Sequence, residues 1–179
     1  RHAVHSGRGS PFHSLGPTNL HMLAVSALSQ VPALRPVVSE WLACEWPAWY
    51  GSTGPGDLPG DIEAFSQSDV NLPVGLVVFK ENEPVGFGTL RRQSIPSHTH
   101  LSPWAATGFV LPQYRGHGVG AFLLRAIVDH ARVLGFSCVY CGTNTSHSLL
   151  ERAGWQLMER VQHDGKPLGI YRMSGRDDG

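Results

Sequence analysis

The run Val110-Leu111-Pro112-Gln113-Tyr114-Arg115-Gly116-His117-Gly118-Val119-Gly120 joins an apolar, strand-like segment to the amphipathic stretch that opens Ala121-Phe122-Leu123-Leu124. A glycine-dense loop so placed turns several backbone N–H groups, and the start of a helix, toward one point. Unsatisfied amides and the positive end of the helix dipole favour negative charge, so the chemistry expected is capture of a phosphate-bearing ligand. A side chain at Gly116, Gly118 or Gly120 would obstruct that approach or forbid the dihedrals it needs.

Two common glycine loops do not account for the run. A P-loop requires Lys and Ser or Thr after its last glycine, and Ala121-Phe122 follow Gly120. Gly116-x-Gly118-x-x-Ala121 fits the dinucleotide fingerprint formally, yet Phe136-Ser137-Cys138-Val139-Tyr140 carries no acid where one should bind a ribose. Too little chain remains to complete such a domain. A turn that only links strand to helix is the competing structural reading.

The elements that must hold this loop are legible from periodicity. Strands are expected at Leu23–Ala27, Val74–Phe79, Val85–Arg91, Ala105–Leu111, Cys138–Thr143, Trp155–Gln162 and Leu168–Ser174. Helices are expected at Val31–Trp46, Asp61–Ser66, Gly118–Leu134 and Ser146–Ala153, with a loop from Pro47 to Gly60. Val119, Phe122, Leu123, Ala126, Ile127, Val133 and Leu134 form the apolar face of the helix after the glycine loop. Glu81-Asn82-Glu83-Pro84 and Asp164-Gly165 read as hairpin turns.

Composition sets the class. With 179 residues, 41% of them hydrophobic, residues 22–179 are expected to form one domain with a real core. Fourteen basic and fourteen acidic residues cancel, which argues against a nucleic-acid partner, and no apolar run spans a membrane. The odd set Cys44, Cys138 and Cys141 argues against a disulfide framework and for a reduced, cytoplasmic setting. Cys138 and Cys141 lie three apart on a strand, on opposite faces, so no metal or redox pair is expected of them. Arg1 to His21, rich in His, Ser, Gly and Pro, reads as an expression leader or disordered tail.

Arg115-x-x-Gly118-x-Gly120 between strand and helix closely resembles the acyl-CoA pyrophosphate loop of the GNAT superfamily of N-acetyltransferases. Leu101-Ser102-Pro103-Trp104-Ala105-Ala106 and Leu149-Leu150-Glu151-Arg152-Ala153-Gly154-Trp155 resemble flanking segments of the same superfamily, and the element order agrees. The resemblance implies an α/β (α+β) GNAT fold: a mixed sheet of about six or seven strands, two central strands splayed, and about four flanking helices. It implies acetyl-CoA as co-substrate, no metal, and transfer of an acetyl group to an amine. Phe109, Val110 and Leu111 would bond the pantetheine arm through their backbone, and Gln113, Arg115, Gly116, His117, Gly118, Val119 and Gly120 would wrap the pyrophosphate. Thr143 and Asn144 would meet the cofactor at the next strand's end, although Asn144 also suits a helix N-cap.

Direct attack on a thioester needs a free amine and a polarised carbonyl, here expected from a backbone N–H near Val110. Many relatives carry a glutamate base on the preceding strand. Ala105-Ala106-Thr107-Gly108-Phe109 has none, leaving Thr107 as a candidate to hold a water. The superfamily's tyrosine acid corresponds to Leu150, which makes His147, or solvent, the candidate proton donor.

From Val37 through Phe79 the chain carries six acids and no Lys or Arg, together with Trp41, Trp46, Trp49 and Tyr50. Acids and aromatics suit a cationic small-molecule amine, and Trp41, Glu45, Trp49, Tyr50 and Trp104 are the candidate acceptor residues. A solvated acidic face over buried tryptophans is the plainer reading. His98 and His100 are expected to be an exposed loop pair. A protein N-terminus or lysine as acceptor, and an acyl-CoA-binding module without turnover, stay open, and a homodimer is a possible assembly.

Overall fold

Alternation along Val74–Lys80 (β2) sends Val74, Leu76 and Val78 to one side and Val77 and Phe79 to the other, and both sets are packed. A strand buried on both faces needs two covering layers. The computed structural model describes residues 22–174 and supplies them; Arg1–His21 and residues 175–179 lie outside the described residues. Leu23–Ala27 (β1), β2, Glu83–Arg91 (β3), Trp104–Val110 (β4), Cys138–Thr143 (β5), Gln156–His163 (β6) and Lys166–Ser174 (β7) form one mixed sheet in the order β1-β2-β3-β4-β5-β7-β6. Only the β4–β5 pair is parallel. Arg35–Glu45 (α1), Pro47–Tyr50 (α2) and Leu58–Phe65 (α3) cover one face, and Val119–Val133 (α4) packs against the other. His147–Arg152 (α5) adds Leu150 to the α4 side.

The turns follow local chemistry. Glu81 and Asn82 have φ of 49° and 70°, and Asp164 and Gly165 have 50° and 74°, the left-handed pairs that two-residue hairpins require. Three expectations need correction. Within the expected loop Pro47–Gly60, Pro47 starts the short helix α2, its fixed φ suiting a first helical position, and the Gly51 N–H closes it on the Pro47 carbonyl. The expected apolar face of α4 is narrower: Val133 is 81% exposed, because it falls well round the helix from buried Ala131 and Val128. His98 is buried, its Nε2 2.9 Å from Glu159 Oε2 and its ring stacked on His100. Among the described residues, no helix is long and apolar enough to cross a membrane.

Candidate active site

Strand β4 carries the decisive irregularity. Between the pairs Thr89↔Ala106 and Phe87↔Phe109, β3 contributes Gly88 alone while β4 contributes Thr107 and Gly108. This is a β-bulge, and Thr107 holds a φ of +54°, rare for a β-branched residue. The extra residue reverses the alternation of β4. Ala105 and Val110 both face the α4 layer, although they differ in parity, while Trp104 and Phe109 face the opposite side. Beyond the bulge β4 also leaves β5, which it pairs only at Trp104↔Tyr140 and Ala105↔Cys141.

The backbone of Val110 thereby takes no part in the β3–β4 ladder. The Leu111 N–H donates to the Val85 carbonyl at 2.9 Å. Antiparallel pairing alternates, so Phe87↔Phe109 is the next hydrogen-bonded pair and Val110, opposite Gly86, sits in the intervening slot. Its N–H and C=O therefore point away from β3, into the gap that β5 has vacated. The gap is a cavity of about 520 Å³ bordered by Glu45, Trp46, residues 105–110 and residues 141–146.

The glycine loop opens onto the same space. Gly118 is left-handed at φ 85° and precedes α4 with no side-chain cap and no acid in the first turn. The first amides of a 15-residue helix thus lack side-chain partners, which is the requirement for holding an anion there. Gly116 is left-handed too, at φ 78°. At Gly120 the reason is space, since a Cβ would stand 3.2 Å from Leu149 of α5. A groove of about 1000 Å³ runs outward from the loop past Arg125, Arg132 and Arg152. Amides at the loop and arginines beyond it fit a diphosphate followed by further phosphate.

Arg115 does more than border the groove at the glycine loop. Its Nε donates to the Val110 carbonyl at 2.9 Å, and its terminal nitrogen lies 3.3 Å from Glu45 Oε2 at the end of α1. Trp41 stacks on Phe109 with ring centroids 5.2 Å apart, closing α1 onto β4. Glu45 and Trp46 border the cleft directly. Trp46 stands beside Glu45 at the helix end, and that adjacency was the signal for it.

Other candidates are elsewhere. Trp104 is fully buried, donates from Nε1 to the Leu101 carbonyl at 2.7 Å, and packs with Ile95 and Ile170, so it does not border the cleft. Trp49 is 51% exposed on α2, and Tyr50 donates to Asp61 at 2.7 Å, with burial first and that carboxylate second pushing its phenol well up. His147 turns from the cleft: its Nδ1 is 3.0 Å from the Tyr171 hydroxyl, which in turn donates to Glu151 at 2.9 Å. Burial, then the Glu151 bond, raises the Tyr171 phenol. The Thr143 hydroxyl accepts from the Thr145 and Ser146 amides at 3.2 and 2.8 Å and so holds the turn that leads into α5, which itself starts without a side-chain cap from Asn144 or any other residue. Asn144 borders the cleft, as do Thr107, Ser146 and Cys141. Burial pushes the Cys141 thiol up to about 12, so it is neither nucleophile nor acid near neutrality. Gln113 and His117 are exposed on the loop.

A splayed parallel pair in a mixed sheet, with a left-handed glycine loop feeding the helix beneath the splay, defines an acyl-transfer fold. The family model described as acetyltransferase (GNAT) family matches residues 36–155, more than half the chain, and the chain belongs to that family. The fold is shared with an aminoglycoside 6'-N-acetyltransferase complexed with coenzyme A (TM-score 0.69, 15% identity, 87% of this chain and 99% of that one). An aminoglycoside 6'-N-acetyltransferase from Enterococcus faecium aligns with TM-score 0.67 and 15% identity over 87% and 99% of the chains. An N-acetyltransferase from Staphylococcus aureus Mu50 aligns with TM-score 0.63 and 16% identity over 85% and 98%. No curated protein matches the chain.

Proposed function

We propose that the chain transfers an acetyl group from acetyl-CoA directly to the primary amine of a cationic small molecule. The observation that carries this reading is the Val110 N–H turned into the β4–β5 gap, a cavity that shares Val110, Arg115 and Gly120 as lining with the groove at the glycine loop. Acetyl-CoA supplies the activated acyl group and a thiol leaving group. The amides of Gly116–Gly120 hold its diphosphate, Arg125 and Arg152 favour the phosphate beyond, and the pantetheine arm lies against β4. The Val110 N–H donates to the thioester oxygen and stabilises the charge it gains as nitrogen attacks.

β4 brings no carboxylate to the gap and the Glu45 carboxylate there serves to bind the cation, so the amine is deprotonated by water, with Thr107 as the one β4 hydroxyl to hold it. Leu150 cannot return a proton to the departing sulfur. A thiol ordinarily ionises at about 8.5, so its anion leaves acceptably near neutrality and takes a proton from solvent or from Ser146. The acidic end of α1, with Glu45 and Trp46 at the cleft, favours a cation. The cited aminoglycoside enzymes support a small-molecule amine over a protein terminus. The test is release of CoA thiol across a panel of cationic, neutral and anionic amines at two ionic strengths. Cationic amines should be preferred, with KM rising with salt; equal use of neutral amines without salt dependence would overturn the acceptor class.

A further inference from the structure

Arg115 is the one charged residue, among the described residues, that borders both the acceptor cleft and the outer anion groove. Its guanidinium is spent on the cleft side, between the Val110 carbonyl at 2.9 Å and the Glu45 carboxylate at 3.3 Å. It also lies 5.9 Å from the Phe109 ring centroid. A cation of the protein's own therefore occupies the place where an acceptor's cation would meet Glu45. Both contacts lie in the path of the cofactor as proposed above. The Val110 carbonyl points into the gap the pantetheine arm must use, and the residue after Arg115 begins the run of amides that holds the diphosphate.

We infer that Arg115 and Glu45 form a lock on the acceptor cleft that opens on cofactor binding. Arg115 leaves Glu45 for the diphosphate, and the freed carboxylate then receives the acceptor's ammonium. The inference rests on the reading of the groove as the acetyl-CoA site. The pair suits a switch because it is weak: its side chains are 49% and 38% exposed, and exposed ion pairs contribute little. A carboxylate already neutralised attracts an incoming cation poorly, so the acceptor binds best after the cofactor. Linkage makes the coupling reciprocal, so weakening the lock must tighten CoA binding.

The experiment is a double-mutant cycle read by calorimetric titration with CoA alone. Glu45→Gln should tighten CoA roughly two- to fivefold, the range of an exposed ion pair. In an Arg115→Gln background, itself weaker in CoA binding, Glu45→Gln should do nothing. Glu40→Gln, an exposed acid on the same helix, should leave CoA affinity unaltered. An equal gain in both backgrounds would mean a general charge effect and would overturn the lock, as would no gain at all. Should Arg115→Gln fail to fold, the difference between Glu45→Gln and Glu40→Gln decides. Failure of the unaltered chain to bind CoA would remove the acetyltransferase reading and the lock together, whereas binding without coupling removes the lock alone.

Discussion

Val110 faces Gly86 across β3 and β4 in a slot that carries no inter-strand hydrogen bond. Its N–H can therefore be removed without breaking the ladder. Proline is tolerated where a strand N–H faces away from its partner, and Val110→Pro should leave the melting temperature within a few degrees. Loss of one donor to a developing oxyanion should lower kcat roughly 10²–10³-fold. Thiol-release kinetics beside thermal unfolding would separate the two effects, and an unchanged kcat would remove Val110 from the chemistry.

Gly118→Asp should abolish CoA binding, since it sets a negative charge among amides arranged for an anion. Its φ of 85° strains any side chain, so Gly118→Asn serves as the control for strain alone. The asparagine variant should retain measurable CoA binding in calorimetry. Equal binding by the aspartate variant and the parent would contradict the anion site.

His147→Ala should cost stability rather than turnover. It removes one partner of the buried Tyr171 hydroxyl, worth about 1 kcal/mol, while the bond to Glu151 remains. Denaturant unfolding should register that loss and kcat should stay within a few-fold. Ser146→Ala should likewise leave kcat within a few-fold if solvent protonates the thiolate. A drop approaching the roughly 10²–10⁴-fold typical of a general acid would name Ser146 as the donor.

The Cys141 thiol shapes the alkaline limb of stability. Burial moves it from its ordinary value of 9.0 to about 12, so between those pH values the unfolded chain has released a proton that the native chain keeps. Stability is then complete below pH 9.0 and falls as pH rises toward 12. Cys141→Ala should flatten that limb in urea titrations, after subtraction of the raised phenols Tyr50, Tyr140 and Tyr171, whose effect has the same sign. In native buffer, iodoacetamide should label exposed Cys44 well before Cys141.

The glycine loop, the order of elements along the chain and the hairpin turns were legible because each depends on neighbours in sequence. The place of Trp104 was not, because its burial rests on the Leu101 carbonyl and on Ile95 and Ile170, the last far off in sequence; nor was the bulge at Thr107 and Gly108, since a single-residue insertion leaves no periodic trace in so short a strand. Asn144 suits a helix cap as well as a cofactor contact, yet α5 starts only at His147 with no side-chain cap, and Thr143 instead holds the turn before it, a choice set by the path of the chain. The pairing of Glu45 with Arg115 joins residues far apart in sequence, so nothing local announces it.

The most direct measurement is a single-turnover experiment with acetyl-CoA labelled in the acetyl group, mixed with enzyme and a cationic amine. Label should pass to the amine in step with thiol release, and the intact protein should show no acetyl adduct at any time. Acetyl-CoA that binds and stays whole with every amine would make the chain a binding module, and label trapped on the protein before the amine would contradict direct transfer.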